Sequence, residues 1–548
     1  MTFETILTAE QSAEFTSAGY WVSRTITDYV DEWAERTPDK LAFVDSRRQI
    51  TYAALRAEAD RCALGLLELG IEPGDLVSFQ LPNWIESIVL HLGLSRIGAV
   101  SNPLIPIYRE REVGFMVGLS QSKLIVVPRE FRGFDYVDMV ERLRPDWPHL
   151  EKVLVVGSPS APDSWEQFMA TPWEQRRDPA QLPGLRPDPD DVTLVIFTSG
   201  TTGEPKGVMH THNTLIGANL PLEHRMGINE STVVHMASTF AHLTGFEYGM
   251  RLPLQFGLTG VIQDVWDVQR FVELVEQHRI TYTSGATPFV HDLLTHLPDD
   301  TSGLQSLTHF CCMGAPIPRA IVREAAERLP QMSVLGGWGQ TENCLITIGI
   351  PGDTPEKIWT TDGYPLPGME VRTVDPSNVP VPAGAEGRIQ VRGPFLFVGY
   401  LKRIPMTREL ITPDGWFDTG DLGIIDPDGY LSISGRTKDI IVRGGENVPV
   451  AYVENILYEH PRIAAVAIVA VPHPRLQEIG GAVVQLKDSD PFTLEDLREF
   501  LEAKRVAKPY WPEILKVVTD FPRTPSGKIQ KFKIRQELSE EFSQEAPA

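Results

Sequence analysis

The segment Thr198-Ser199-Gly200-Thr201-Thr202-Gly203-Glu204-Pro205-Lys206-Gly207 constrains this chain more than any other. It follows Val192 to Phe197, an apolar, β-prone run that reads as a buried strand. The chain therefore leaves a sheet through a loop of small hydroxyl residues, three glycines and one lysine. Such a loop exposes several backbone N–H groups at once, and its hydroxyls and ammonium can reach anionic oxygens. Polyphosphate is the natural guest, although a flexible surface turn has the same composition. A Walker A P-loop is excluded, because that pattern needs Gly-Lys-Ser/Thr opening a helix. Here Lys206 is followed by Gly207 and a short extended piece, Val208-Met209, and a helix is expected only from about Thr211 or Asn213.

Composition narrows the partners. The 548 residues suggest roughly three or four domain-sized units. An apolar content of 42% and a charged content of 22% are ordinary for a globular protein with a large core. The net charge of −23 argues against nucleic acid or an anionic membrane as a partner, so any polyanion must be held by local donors. The cysteines, Cys62, Cys311, Cys312 and Cys344, lack zinc-ligand spacing and are expected as buried, reduced thiols. The acidic start, with Glu4, Glu10 and Glu14, is unlike a signal peptide, and no apolar run approaches the ~20 residues of a membrane span. A cytoplasmic protein is expected, with a homodimer left open.

Along the first 190 residues helical and extended patterns alternate: helix 55–69, strand 76–81, helix 84–97, extended 99–101, helix 110–119, strand 124–127. The alternation resumes with helix 268–278, extended 281–284 and helix 288–296. This predicts an α/β fold of parallel sheets covered by helices. A Pro- and Gly-rich stretch, 363–399, marks a shift to shorter strands and thus a β-rich subdomain. From about residue 436 a compact α+β unit is expected: strands 430–434 and 439–442, helix 450–459, strands 464–471 and 482–486, helix 494–504 and strand 514–518. Thr493 with Asp496 is the capping box of that last helix.

Further motifs follow in order. Trp338-Gly339-Gln340-Thr341-Glu342 comes after the β-like run Ser333-Val334-Leu335; Thr419-Gly420-Asp421 precedes one expected strand and Gly435-Arg436 follows another. Pro522-Arg523-Thr524-Pro525-Ser526-Gly527-Lys528 is a rigid, glycine-punctuated segment able to place one lysine at a fixed point. Ala241-His242-Leu243-Thr244-Gly245, Gly314-Ala315-Pro316 and Arg443-Gly444-Gly445-Glu446-Asn447 are weaker signals. Taken singly, each is common core, turn or surface material. As an ordered set from 198 to 528 they resemble the adenylate-forming enzymes: acyl-CoA synthetases, luciferases and peptide-synthetase adenylation domains. Gly285-Ala286-Thr287-Pro288-Phe289-Val290, the 443–447 segment and Lys504-Arg505-Val506-Ala507-Lys508 are similar to medium-chain fatty-acid and cyclohexanecarboxylate CoA ligases.

The resemblance implies ATP, Mg²⁺ and coenzyme A, with a small carboxylic acid as substrate. It divides the chain into a large N-terminal AMP-binding domain (1–435), a hinge (436–438) at Lys438, and a small mobile C-terminal domain (439–548). Lys528, Glu342, Thr198 and His242 become the catalytic candidates, Glu342 and Thr198 also the magnesium ligands. Thr198, Ser199, Gly200, Thr201, Thr202, Gly203 and Lys206 are placed on phosphates. Gly314, Ala315 and Pro316 edge the adenine, with Gly337, Trp338 and Gly339 beside it and Thr341 at the α-phosphate. Trp338 stands where tyrosine is commoner, and its face can stack on adenine. Asp421 and Arg436 fall to the ribose, His242 to the gate of the acyl pocket. Gly444, Gly445 and Glu446 fall to the pantetheine passage. Phe240, Leu243, Phe246 and Tyr248 could line an apolar acyl pocket or equally be core, and Glu247 has no assignment. The 240–242 segment has no aspartate to clamp an amino acid, and only about twenty residues follow Lys528, unlike a carrier-linked peptide-synthetase domain. A stand-alone aryl-acid adenylating enzyme stays open, since Phe131-Arg132-Gly133-Phe134-Asp135-Tyr136 faintly resembles such enzymes. A non-catalytic nucleotide binder is expected to have lost Lys528 or Glu342; both are present.

Overall fold

Buried parallel strands organise the larger part of the molecule, and their sequences show why. Leu76–Phe79 and Leu124–Pro128 are buried at every position, so both faces need cover and no alternation of polar residues appears. The cover includes Ile85–Arg96, a helix buried from Ile85 to Ser95, which suits its nearly uniform apolar surface. The computed structural model describes residues 3–198, 205–315, 317–437, 441–443, 446–448, 450–473, 475–523 and 528–545.

Among these residues one seven-stranded sheet runs in the order 399–400, 206–211, 192–198, 100–103, 76–79, 124–128, 152–156. Its five strands from 192–198 to 152–156 are parallel, and Lys206–Thr211 and Gly399–Tyr400 add antiparallel edges. A nine-stranded sheet has a parallel centre (41–44, 259–262, 233–236, 282–285, 309–313 and 333–340) and antiparallel edges. Both sheets contribute to one apolar core, in which Phe79 and Val126 of the first join Phe43 and Val234 of the second. A four-stranded antiparallel sheet, 370–374, 386–392, 417–425 and 431–436, forms the expected β-rich subdomain.

The small C-terminal domain is built on a sheet of Glu446–Val448, Ile441–Arg443, Gln477–Leu486, Ile463–His473 and Ile514–Val518. Strand alternation gives it two cores. Val466, Ile468 and Ala470 pack with residues of helices Val450–Leu457 and Leu494–Ala503; Ala465, Ala467, Val469 and Val471 pack with Ile534 and Leu538 of helix Lys531–Glu545. The box of Thr493 and Asp496 caps the second of these helices as expected. The four cysteines are buried thiols; burial pushes Cys311 and Cys312 up to about 12.

Three departures from the sequence reading have local causes. Thr419-Gly420-Asp421 lies inside strand Phe417–Ile425, not before it, because Gly420 (φ +71°) bends the strand without ending it. Gly435-Arg436 closes strand Leu431–Arg436 itself. Strand Gln477–Leu486 starts five residues early, since its polar end extends the hairpin past the apolar core.

Residues 244–251 form a π-helix running into helix Leu252–Phe256, and Gly245 is required there: a Cβ would lie 2.2 Å from the Thr239 carbonyl oxygen. Phe240, Leu243, Phe246 and Tyr248 all belong to the main core. Glu247 now has partners: its Oε1 accepts from Asn219 Nδ2 at 2.6 Å, and its Oε2 pairs with Arg251 Nε at 3.2 Å. Arg251 Nη1 reaches His91 Nε2 at 3.2 Å, and His91 Nδ1 faces Ser101 Oγ at 2.9 Å. Burial raises the Glu247 carboxyl to about 7 and lowers the Arg251 guanidinium, while the charge of each favours the ionic form of the other. Replacing Arg251 with methionine should strand the carboxylate and cost about 3–5 kcal/mol in urea unfolding. The Glu247→Leu, Arg251→Met double variant should regain most of that loss, which a denaturation cycle would show.

Candidate active site

The hydroxyl-rich loop is closed by a β-hairpin. Thr198 and Lys206 sit opposite each other at its base, followed inward by Phe197 opposite Gly207 and Ile196 opposite Val208. Strand Lys206–Thr211 thus returns antiparallel to strand Val192–Thr198, and Thr211 caps helix His212–Met226. This confirms that no helix opens at the lysine. Residues Ser199, Gly200, Thr201, Thr202 and Gly203 lie outside the described residues, as do Pro316, Lys438, Gly444 and Gly445.

Strand Gly399–Tyr400 pairs with the Lys206 strand, and this brings Tyr400 between two candidates. The Lys206 ammonium lies 4.9 Å from the centre of the Tyr400 ring, and Tyr400 Oη donates to Glu342 Oε1 at 2.8 Å. The Glu342 carbonyl accepts from Phe397 N at 2.7 Å. His210, buried and held down to about 4 chiefly by burial, stays neutral; its Nε2 donates to the Thr341 carbonyl at 2.7 Å. The motif's tight turn is thereby pinned from two sides.

Trp338 ends the buried part of strand Ser333–Gln340, where Gly337 stands opposite Met313, next to Gly314 at the end of strand His309–Met313. Gly314 adopts φ +86°, and a Cβ there would meet nothing within 4 Å, so an open edge adjoins the tryptophan. Ala315 follows it at the same edge. Gly339 cannot be anything larger: its Cβ would sit 1.8 Å from the Cys344 carbonyl oxygen. Across the site Asp421, 4% exposed, takes three donors. Trp338 Nε1 and Gln340 Nε2 each reach Oδ2 at 2.9 Å, and Arg436 Nε reaches Oδ1 at 3.0 Å.

Lys528 arrives from the small domain. Arg523 and Ile529 form an antiparallel bridge and Gln530 N donates to the Pro522 carbonyl at 2.7 Å, and Lys528 directly precedes that bridge. Its ammonium is within electrostatic reach of Arg436, Asp421 and Glu342. Burial, with a smaller contribution from Arg436, lowers it to about 8 against the pull of Asp421 and Glu342. His242 feels Lys528 too, and burial with that charge holds its ring at about 4. The structure therefore gathers Lys528, Glu342, Asp421, Arg436 and His242 in one cluster, with Trp338, Thr341, Thr198 and Lys206 around it. In the C-terminal sheet Glu446 pairs with Arg443, whose guanidinium binds Glu513.

The family model of the AMP-binding enzyme matches residues 30–401, and that of the AMP-binding enzyme C-terminal domain matches 452–528. The chain belongs to the AMP-binding enzymes. A medium-chain fatty-acid–CoA ligase of Escherichia coli (strain K12) is 36% identical over 98% of this chain and 94% of its own. A salicylyl-CoA synthase / salicylate adenylyltransferase of a Streptomyces species is 30% identical, over 96% of both chains. The ATP-bound structure of MatB from Rhodopseudomonas palustris covers 95% of this chain and 100% of its own, at 26% identity and a TM-score of 0.85. Among AMP-binding enzymes this chain is of the acyl-CoA synthetase type, an acid–thiol ligase.

Sequence reasoning missed four supports of this cluster: His210, Tyr400, Gln340 and Asn343, whose Oδ1 accepts from Gln340 N at 2.6 Å. Gln340 could have been found, since it lies within the motif. The lowered lysine also carries a pH signature. Lys528 is half deprotonated near pH 8 before any anion binds, and only the ammonium attracts phosphate. kcat/KM for nucleotide should thus fall as pH rises through about 8, whereas kcat should hold to higher pH, because bound anions raise the lysine again. Steady-state profiles over pH 6.5–10 check this; a Lys528→Arg variant should lose the alkaline limb.

Proposed function

We propose that this enzyme is an ATP-dependent carboxylate–CoA ligase that forms acyl-CoA, AMP and pyrophosphate through an acyl-adenylate, on a medium-chain or alicyclic acid such as cyclohexanecarboxylate. The observation that carries the reading is the approach of Lys528 to Glu342 and Asp421, one cation from the small domain beside two carboxylates of the large one. The acid needs no general base, since a carboxylate with a pKa of ~4 is ionised at neutral pH. Its difficulty is electrostatic: an anion must approach the α-phosphate of ATP. In the first half-reaction the carboxylate oxygen attacks that phosphorus, the bond to the β-phosphate oxygen breaks, and pyrophosphate departs. Lys528 and Lys206 would offset the charge on the phosphoryl oxygens, with Thr198 at the root of the phosphate loop. Trp338 and the open edge at Gly314 suit a flat base, and Asp421 with Arg436 a ribose.

Magnesium fits this donor set. Among the described residues no three of His, Cys, Asp and Glu cluster so as to hold a metal by themselves, and Mg²⁺ prefers one or two carboxylates completed by phosphate and water. Glu342, oriented through Oε1 by Tyr400, and Thr198 would hold it. When bound it would neutralise charge on the phosphate oxygens as the adenylyl group is transferred. In the second half-reaction the thiol sulfur of CoA attacks the acyl carbonyl, the bond to AMP breaks, and the thiol proton passes to solvent. Rotation of the small domain about Lys438, withdrawing Lys528 and presenting Gly444, Gly445 and Glu446, would open the way.

Lys528→Ala should lower adenylate formation by about 10²–10³, read as pyrophosphate release, yet leave thioester formation from synthetic acyl-adenylate near its original rate. Equal loss in both half-reactions would remove the division of labour. A second reading, an aryl-acid adenylating enzyme loading a carrier protein, draws on the salicylate-named relative. A screen of linear C4–C12, alicyclic and aromatic acids, with CoA against a phosphopantetheinylated carrier, decides between them. Production of ADP in place of AMP would sink both.

A further inference from the structure

Asp421 holds an unusual number of donors for a residue expected to receive a sugar. A carboxylate offers about four acceptor positions, two on each oxygen. Oδ2 is filled by Trp338 Nε1 and Gln340 Nε2, each at 2.9 Å, and Oδ1 forms an ion pair with Arg436 Nε at 3.0 Å. Oδ1 faces the half-exposed Arg436. Both Trp338 and Asp421 are buried, at 8% and 4% exposure, so water cannot replace the indole donor if it is lost. Gln340 divides its amide between Asp421 and the Thr419 carbonyl, also at 2.9 Å, and is the weaker tether. The indole hydrogen bond thus fixes two things together: the plane of the ring and the rotation of the carboxylate.

We infer that Trp338, through its Nε1–H bond to Asp421, is a positioning residue that sets the enzyme's preference for a ribonucleotide over its deoxy counterparts. The inference rests on the reading of Asp421 as the ribose residue, but adds a role that an aromatic face alone does not have. Phenylalanine at 338 keeps a flat surface for the base and cannot hold Oδ2. With Oδ2 held by Gln340 alone the carboxylate can turn more freely about its last side-chain bond, and Oδ1 no longer faces one fixed hydroxyl. The cost falls on the nucleotide that has that hydroxyl, and spares the one that lacks it.

The experiment compares ATP, 2′-deoxyATP and 3′-deoxyATP in the full-length enzyme, with pyrophosphate release as readout, for the wild type, Trp338→Phe and Gln340→Met. The measured quantity is kcat/KM for ATP divided by that for whichever deoxynucleotide the wild type uses less well. Trp338→Phe should lower this ratio about tenfold, and Gln340→Met should lower it less. If Trp338→Phe does not fold, shown by circular dichroism, the Gln340→Met ratio decides alone, because that change leaves the aromatic face intact. An unchanged ratio, or equal losses on both nucleotides, overturns the inference and leaves the ribose reading standing. A wild type indifferent to both hydroxyls overturns the ribose reading of Asp421 and this inference with it.

Discussion

A lysine ammonium inside a cleft is costly unless anions answer it. Lys528 is placed where two carboxylates of the other domain, Glu342 and Asp421, partly compensate its burial. The rest of the active region can be understood as support for that meeting. Tyr400 and the Phe397 amide hold Glu342. Trp338, Gln340 and Arg436 hold Asp421. The small domain contributes the cation itself, next to the bridge between Arg523 and Ile529. The contacts at the two carboxylates are side chain to side chain, and those of Phe397 and the bridge are backbone to backbone; together they leave few ways for the charges to drift.

Much of this architecture was legible in the chain. Helix 268–278 and strand 514–518 fall where periodicity put them, because their apolar faces and boundaries are set locally. The loop from Thr198 to Gly207 announced a strand on one side and no helix on the other, and the hairpin bears that out. Local glycine cues misled at Gly420, where a left-handed residue sits within a strand rather than ending it. The π-helix at 244–251 gave no warning, since the close approach of Gly245 to the Thr239 carbonyl that accompanies it is a tertiary feature.

Contacts across the fold were out of reach for a different reason. His210 supports a carbonyl 131 residues away, Tyr400 a carboxylate 58 residues away, and Trp338 an aspartate 83 residues away. Each depends on which strands become neighbours, and short patterns carry no record of that. Motif order pointed to the right participants, while the donors that orient them are ordinary residues between or inside the motifs. Glu247 shows the same limit in the core: its partner Arg251 is four positions along, but Asn219 comes from another helix.

The buried sulfur chemistry has a practical side. All four thiols are shut away, and burial raises Cys311 and Cys312 to about 12, so thiolate is scarce at neutral pH. A maleimide dye offered to the native protein would find little to react with. One surface cysteine introduced on each domain would accept a donor–acceptor pair without removal of any native residue. The angle between the two domains could then be followed by energy transfer through a full turnover.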